Sequence, residues 1–227
     1  MLAPEPFFEP RGTPFSEYHR INALGELGHA VDLVPYPLGA DVELPKLRIY
    51  RSLRPPGVRK VKIGPSVTKL VLDGLLALTA LRRVLTSRYD AIHSHEEAGV
   101  LGVLLSKALG IPHLYDMHSS LPQQLSNFRS TQSGLVRAVF DRAERLMIGG
   151  SGVVITICQD LQDTVVAMGA GEKSILIENV MGGDVAPGAG PGRDAVRGRW
   201  GIPADAPVVL YTGTFEAYQG LDLLVEA

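Results

Sequence analysis

The chain has 227 residues, with 22 Lys plus Arg against 24 Asp plus Glu, a net charge of -2. Hydrophobic residues make up 45% and charged residues 20%, which excludes a disordered tail, a coiled coil and a collagen-like fibre and leaves apolar material for a sizeable core. The single cysteine, Cys158, excludes a disulfide framework and suits a reducing compartment, and MLAPEPFFEPRG lacks the basic and apolar regions of a secretory signal, so the chain reads as cytoplasmic.

Short β-type runs alternate with helical stretches, which predicts an α/β chain with a parallel sheet and helical crossovers. Residues 1–4 read as the end of a first strand and 9–13 as a loop. A helix follows over 14–27, with Thr13 as N-cap, Pro14 at the first helical position and Gly28 as the stop. Strands are expected at 30–36 and 47–52. After a basic helical segment come a strand at 89–95, a helix at 98–110, a strand at 111–118 and a helix at 135–148. A strand at 152–158, a helix at 160–169 and a strand at 174–179 complete a first domain over 1–179. Residues 180–192, rich in glycine and proline, read as a linker. Over 193–227 a short helix, a strand at 206–213 and the start of another helix read as the opening of a second, truncated domain.

Charge is unevenly spread. Between Lys46 and Arg88 stand eleven basic residues and one acid, Asp73. Within this segment LVLDGLLALTAL (Leu70 to Leu81) is apolar on nearly every face of a helix, and it is shorter than the ~20 residues of a membrane span. It reads as a buried helix with solvated basic flanks, or as a helix that leans on an anionic membrane surface. Nucleic acid is disfavoured, because Tyr50 is the one stacking aromatic there.

Open parallel sheets bind ligands beyond the carboxyl ends of their strands, and three candidates fall there. Gly12 precedes a helix N-terminus whose free N–H groups suit an anion or phosphate, although Gly-Thr-Pro is equally an ordinary helix start. His93-Ser94-His95-Glu96-Glu97 ends one strand, and its histidines at i and i+2 point the same way. Such a pair can hold a metal or position sugar hydroxyls or phosphate. Asp116-Met117-His118-Ser119-Ser120 ends another. Four of the six histidines lie between residues 93 and 118, a clustering that favours function over structure. His29 and His113 read as structural, and His19 lies about a turn behind the glycine loop.

The stretches GTPFSEYHRINALGELGHAVDLV, YDAIHSHEEAGVLGVLLSKALGIPHLYDMHSSLPQQL, VVITICQDLQDTVVAMGAGEKSILIENV and VVLYTGTFEAYQGLDLL occur in this order over most of the chain. Through them the chain resembles the family 4 retaining glycosyltransferases of the two-domain GT-B fold. The resemblance implies a Rossmann-like parallel sheet with helices on both faces as the acceptor-side domain. The first strand and helix of a truncated donor-binding Rossmann-like domain would follow. It implies transfer of a sugar, with retention, from a UDP- or GDP-linked donor to a glycan or lipid-linked acceptor, with no cofactor and no metal. His118 matches the histidine at the reaction centre, Gly12 the loop glycine facing the donor phosphates with Thr13 beside it, and His95, Glu96 and His19 the acceptor side. Where the family commonly carries an Arg and a Lys on the diphosphate, this chain has Thr214 and Gln219, which can still donate hydrogen bonds. The paired-glutamate donor motif would lie beyond Ala227, so these residues alone are expected to be inactive. Other readings are a metal-dependent hydrolase built on His93, His95, Asp116 and His118, and a non-catalytic nucleotide- or sugar-binding module.

Overall fold

A computed structural model describes residues 1–9, 12–61, 66–127, 134–179, 190–213, 215 and 219–226. The chain divides into two units, Met1–Val180 and Met181–Ala227. The first is built on seven parallel strands: β1 (Leu2–Ala3), β2 (Val31–Pro35), β3 (Leu47–Ile49), β4 (Ile92–His95), β5 (His113–Met117), β6 (Val153–Thr156) and β7 (Ser174–Leu176). Parallel neighbours cannot be joined by tight turns, so helices cross between them. These are α1 (Gly12–Glu26), α2 (Val67–Thr86), α3 (Ala98–Leu109), α4 (Leu121–Asn127) with α5 (Gly134–Gly150), and α6 (Gln159–Ala167).

The strand order is β3-β2-β1-β4-β5-β6-β7. The chain winds outward from β1 to β3, then returns to the other side of β1 as β4. The loops leaving β1 and β4 therefore diverge, opening a crevice at the carboxyl ends of the central strands. Central strands are covered on both faces: every residue of β2 is buried.

α3 sits unusually close to this sheet. A Cβ at Gly99 would lie 2.6 Å from Met147 Sδ and 2.9 Å from the Tyr115 ring. At Gly102 it would lie 2.2 Å from His113 Nε2 and 2.8 Å from Ser94 Oγ. His113 is buried between two hydroxyls, Ser94 Oγ at 2.6 Å and Ser151 Oγ at 2.9 Å. Burial lowers its pKa to about 4, so it is a neutral structural residue, as its position at a strand start suggested.

Several sequence expectations change in detail. The first helix begins at Gly12, which places Thr13 inside the helix rather than at its N-cap. Helix α4 was not anticipated, because LPQQLSN is short and carries Pro122, harmless in a first turn. Helix α2 is buried along one stripe only: Leu72, Leu76 and Ala80 face the core, while Val67, Leu70 and Leu85 are 79%, 71% and 75% exposed. Nor are the basic residues simply solvated. Arg48 donates to Asp32 at 2.8 Å, Tyr89 donates to the same carboxylate at 2.7 Å, and Arg51 donates to the Leu38 carbonyl at 2.6 Å. In the second unit, α7 (Arg193–Trp200) closes on Gly201 at φ +65°, and α8 (Leu221–Glu226) follows. Residues 206–213, read as a strand, form no ladder among the described residues, and Val209 and Leu210 are exposed. A strand needs a neighbour to take its backbone hydrogen bonds, and none stands beside it among the described residues. The linker expected at 180–192 lies mostly outside the described residues.

Because the Gly102 Cβ position is already filled by His113 and Ser94, Gly102→Ala should lower unfolding free energy by about 1–3 kcal/mol in chemical denaturation. Ala substitution at Gly12, which has open space at its Cβ position, should cost no more than a few tenths.

Candidate functional site

The carboxyl ends of β4 and β5 are in register, with His95 beside Asp116. Just past β4 the chain takes a left-handed conformation at Glu96, φ +46°. For a non-glycine residue this costs roughly 1–3 kcal/mol, and such strain concentrates at working sites. Glu97 then caps α3. Glu5, after β1, and α1 complete the surroundings.

At the centre is the Asp116 carboxylate, which has no solvent exposure. Arg20 Nε pairs with its Oδ2 at 2.8 Å, His93 Nε2 lies 3.2 Å from the same oxygen, and His118 Nε2 lies 3.2 Å from Oδ1. His95 Nδ1 stands 3.6 Å from Oδ2 and 3.3 Å from His118 Nε2. The His93 and His95 rings are stacked, with centroids 4.8 Å apart. Burial alone would raise the Asp116 pKa, but His95, His118 and His93 outweigh it and hold the carboxyl well below its usual range. Burial drives His95 well below the ordinary histidine value and lowers His93 as well. For His118 burial is overcome by Asp116, Glu96 and Glu5, and its pKa rises. His118 is thus the histidine of the cluster whose charged form its surroundings favour, while burial favours the neutral forms of His93 and His95.

Around this core lies a ring of strained carboxyl groups. Glu17 is fully buried, and burial together with repulsion from Glu5 raises its pKa well above the usual value. Burial raises the Glu5 pKa as well. Burial lifts Glu96 to about 7, partly offset by His118, and its Oε2 accepts a hydrogen bond from Ser119 Oγ at 2.8 Å. Lys69 of α2 pairs with Glu97 at 2.5 Å. Tyr36 donates to Asp73, whose pKa burial raises to about 6.

The structure gathers His93, His95, Glu96, Asp116 and His118 into one cluster. His19 packs on Phe15 and Tyr18, with ring centroids 5.6 and 5.3 Å away. Gly12 and Thr13 form the start of α1. Gln219 belongs to the second unit and is exposed, and Thr214 lies outside the described residues. Sequence reasoning passed over Arg20, Glu17, Glu5 and Lys69. One signal was available: Glu17 stands four residues before Ile21 and eight before Gly25, on the stripe that α1 buries.

Ligand atoms of His93, His95 and Asp116 lie within 4.8 Å of one another, close enough to consider a metal. The Arg20 guanidinium, however, already supplies the cation at Asp116 Oδ2, and a divalent ion would have to displace it. The arrangement is suited instead to holding hydroxyls and a developing charge.

Glu17 allows a pH test. Its folded-state pKa is raised, so its contribution to stability is present at low pH and lost as pH rises past the ordinary glutamate value. Glu17→Gln keeps the neutral hydrogen-bonding group without the proton. Its thermal midpoint relative to the unsubstituted chain should rise as pH climbs above the ordinary glutamate value of about 4.3. A gap that narrows or stays flat would contradict the raised pKa.

Residues 18–179 match the family model described as "Glycosyl transferase 4-like domain". The chain is 29% identical over 187 residues to D-inositol 3-phosphate glycosyltransferase 1 of Catenulispora acidiphila, covering 75% of this chain and 41% of the relative. It is 30% identical over 192 residues to D-inositol 3-phosphate glycosyltransferase of Kineococcus radiotolerans, covering 75% and 41%. The chain thus spans less than half the length of these relatives. In fold it is similar to sucrose-phosphate synthase from Thermosynechococcus elongatus, with TM-score 0.74 and 18% identity over 99% of this chain and 58% of that one. With the sheet order and the matched domain both in agreement with the resemblance read from the strand-end motifs, the chain belongs to the glycosyl transferase 4-like family.

Proposed function

We propose that the protein transfers a sugar, with retention of anomeric configuration, from a UDP- or GDP-linked donor to an acceptor hydroxyl, and that the crevice at the ends of β1, β4 and β5 takes the acceptor and the transferred sugar. The observation that carries this reading is the buried Asp116–His118 pair at the point where strand order reverses, in a chain of this family. Relatives named for D-inositol 3-phosphate make a polyol hydroxyl a natural acceptor class.

Glycosyl transfer builds positive charge on the sugar and negative charge on the leaving diphosphate, so rate comes from fixed dipoles and donors placed around both. The amide-rich start of α1 at Gly12 and Thr13 suits the diphosphate. His118, its raised pKa favouring the charged form, offers a donor to the transferred sugar. Glu96, near pKa 7, accepts a hydrogen bond from an acceptor hydroxyl. By the family resemblance alone, Thr214 and Gln219 are candidates to hydrogen-bond the diphosphate in place of the usual cations. No enzyme nucleophile or cofactor enters, and the leaving phosphate takes the acceptor proton.

We further propose that the acceptor is membrane-proximal. No helix among the described residues is long and apolar enough to cross a membrane. Yet Val67, Leu70, Val71, Leu78, Leu81 and Leu85 are all exposed and fall on one stripe of α2, opposite its buried stripe. Exposed Arg82 lies near the end of that stripe, exposed Arg88 follows it, and exposed Arg59 and Lys60 precede it. An apolar stripe with basic flanks matches the surface of an anionic bilayer.

Nucleotide-sugar turnover by the complete polypeptide, measured over UDP- and GDP-sugars with and without EDTA, tests the main reading. Turnover should survive EDTA and fall at least a hundredfold, roughly 2.7 kcal/mol, in His118→Ala. Turnover of no nucleotide sugar, together with stoichiometric bound metal, would replace it with the hydrolase. Binding of a nucleotide sugar without transfer would leave only a binding module. For the membrane reading, the protein should sediment with phosphatidylglycerol vesicles and not with phosphatidylcholine ones, and Leu70→Glu with Leu78→Glu should abolish this. Equal sedimentation of the double variant would contradict it.

A further inference from the structure

We propose that Glu144, buried on α5, is a positioning residue that holds the turn carrying His118 in place for sugar transfer. The inference rests on the role given to His118 above and assigns one to a carboxylate that the proposed function leaves unused.

Strand β5 ends at Met117 and α4 opens at Leu121, so His118, Ser119 and Ser120 lie outside both elements. Two carboxylates hold this turn. Ser119 Oγ donates to Glu96 Oε2 at 2.8 Å, just past β4. From α5, Glu144 Oε2 accepts the Leu121 backbone N–H at 2.8 Å, and its Oε1 accepts Ser120 Oγ at 3.3 Å. The first N–H groups of a helix have no partner inside it, so Glu144 takes one that α4 leaves open. A charged acceptor makes that bond stronger than a neutral one would.

Glu144 is itself 1% exposed. Burying a carboxylate is costly unless hydrogen bonds satisfy it, and Ser120 and Leu121 supply them. Packing fixes where the carboxylate stands. Glu144, Met147 and Ile148 form the stripe that α5 buries. Met147 Sδ fills the space that a Cβ at Gly99 of α3 would need, and a Cβ at Gly150 would lie 2.6 Å from Val103 Cγ1. Helices seated this closely do not slide along one another. Glu144 is therefore a fixed point on the core from which the turn is held. A shift of about 1 Å at a reacting group can cost about a hundredfold in rate, even when the altered residue is remote.

Reach and charge are separable at this position. Glu144→Asp keeps the charge and withdraws the acceptor by one methylene. Glu144→Gln keeps the reach and removes the charge, with its amide oxygen open to the Leu121 N–H and its amide nitrogen to Ser120 Oγ. Each variant of the complete polypeptide is assayed below its thermal midpoint, with the nucleotide sugar turned over fastest in the panel above. Glu144→Asp and Glu144→Ala should lower kcat about tenfold or more with donor KM changed less than about threefold, whereas Glu144→Gln should keep at least about a third of kcat. Lys173→Met controls for lost stability alone. Lys173 donates to the Gly149 and Ser151 carbonyls at 2.9 and 2.8 Å, and its loss should lower the midpoint and leave kcat unchanged. Should Glu144→Ala fail to fold, Glu144→Asp and Glu144→Gln carry the test. Full kcat in Glu144→Asp would overturn the proposal, as would a fall in Glu144→Gln as large as in Glu144→Asp, or an equal fall in Lys173→Met. His118→Ala is run beside them. If it keeps full turnover, the reading of His118 fails and this proposal falls with it. If it loses turnover while Glu144→Asp does not, this proposal alone fails.

Discussion

A carboxylate that water does not reach has to be neutralised by its neighbours, because isolating the charge costs several kcal/mol even after relaxation. Asp116 is such a group, and much of the crevice is arranged around it. Arg20 comes from α1, His93 and His95 from β4, and His118 from the residue just beyond β5. Parallel pairing of β4 with β5 sets His95 beside Asp116, and the tight seating of α3 through Gly99 and Gly102 fixes both strands against one helix. One charge therefore ties together the three elements that diverge at the switch point. The same charge makes His118 the histidine of the cluster that favours protonation, while burial favours the neutral forms of its neighbours.

The groups around this centre are held away from their relaxed states. Glu96 carries a left-handed backbone and a carboxyl lifted to about 7, burial holds the Glu17 pKa well above its usual value, and Asp73 is lifted to about 6 beside Tyr36. None of this favours folding, and titratable groups shifted by burial and by one another are what a working crevice collects. The stability that offsets it comes from ordinary packing elsewhere: the both-sided burial of β2, the Leu72–Leu76–Ala80 stripe of α2 and the wedge of α3.

The strand pattern and the strand-end histidines were legible in the chain because parallel strands in a two-layered cover read as short apolar runs and end where polar residues begin. His93, His95, Asp116 and His118 stand directly at those ends. Arg20 and Glu17 were not legible in the same way. On a helix a charged residue reads as solvent-facing, and only the register with Ile21 and Gly25 hints that this stripe turns inward. Over α2 the sequence left two readings, a buried helix or one that leans on a membrane surface, because its apolar character runs round the helix; the fold buries one stripe and leaves the opposite one uncovered. Residues 206–213 have strand composition, but composition does not provide the neighbouring strand that a ladder needs.

The function proposed above puts sugar transfer in the crevice ordered by Asp116. A crystal structure of the complete polypeptide with an intact, non-hydrolysable nucleotide sugar would reveal where the donor binds. The diphosphate is expected at the amides that open α1 and the transferred sugar within hydrogen-bonding distance of His118, with Arg20 still paired to Asp116. A ligand bound away from the ends of β4 and β5, or a metal ion seated on His93, His95 and Asp116 with Arg20 displaced, would contradict it.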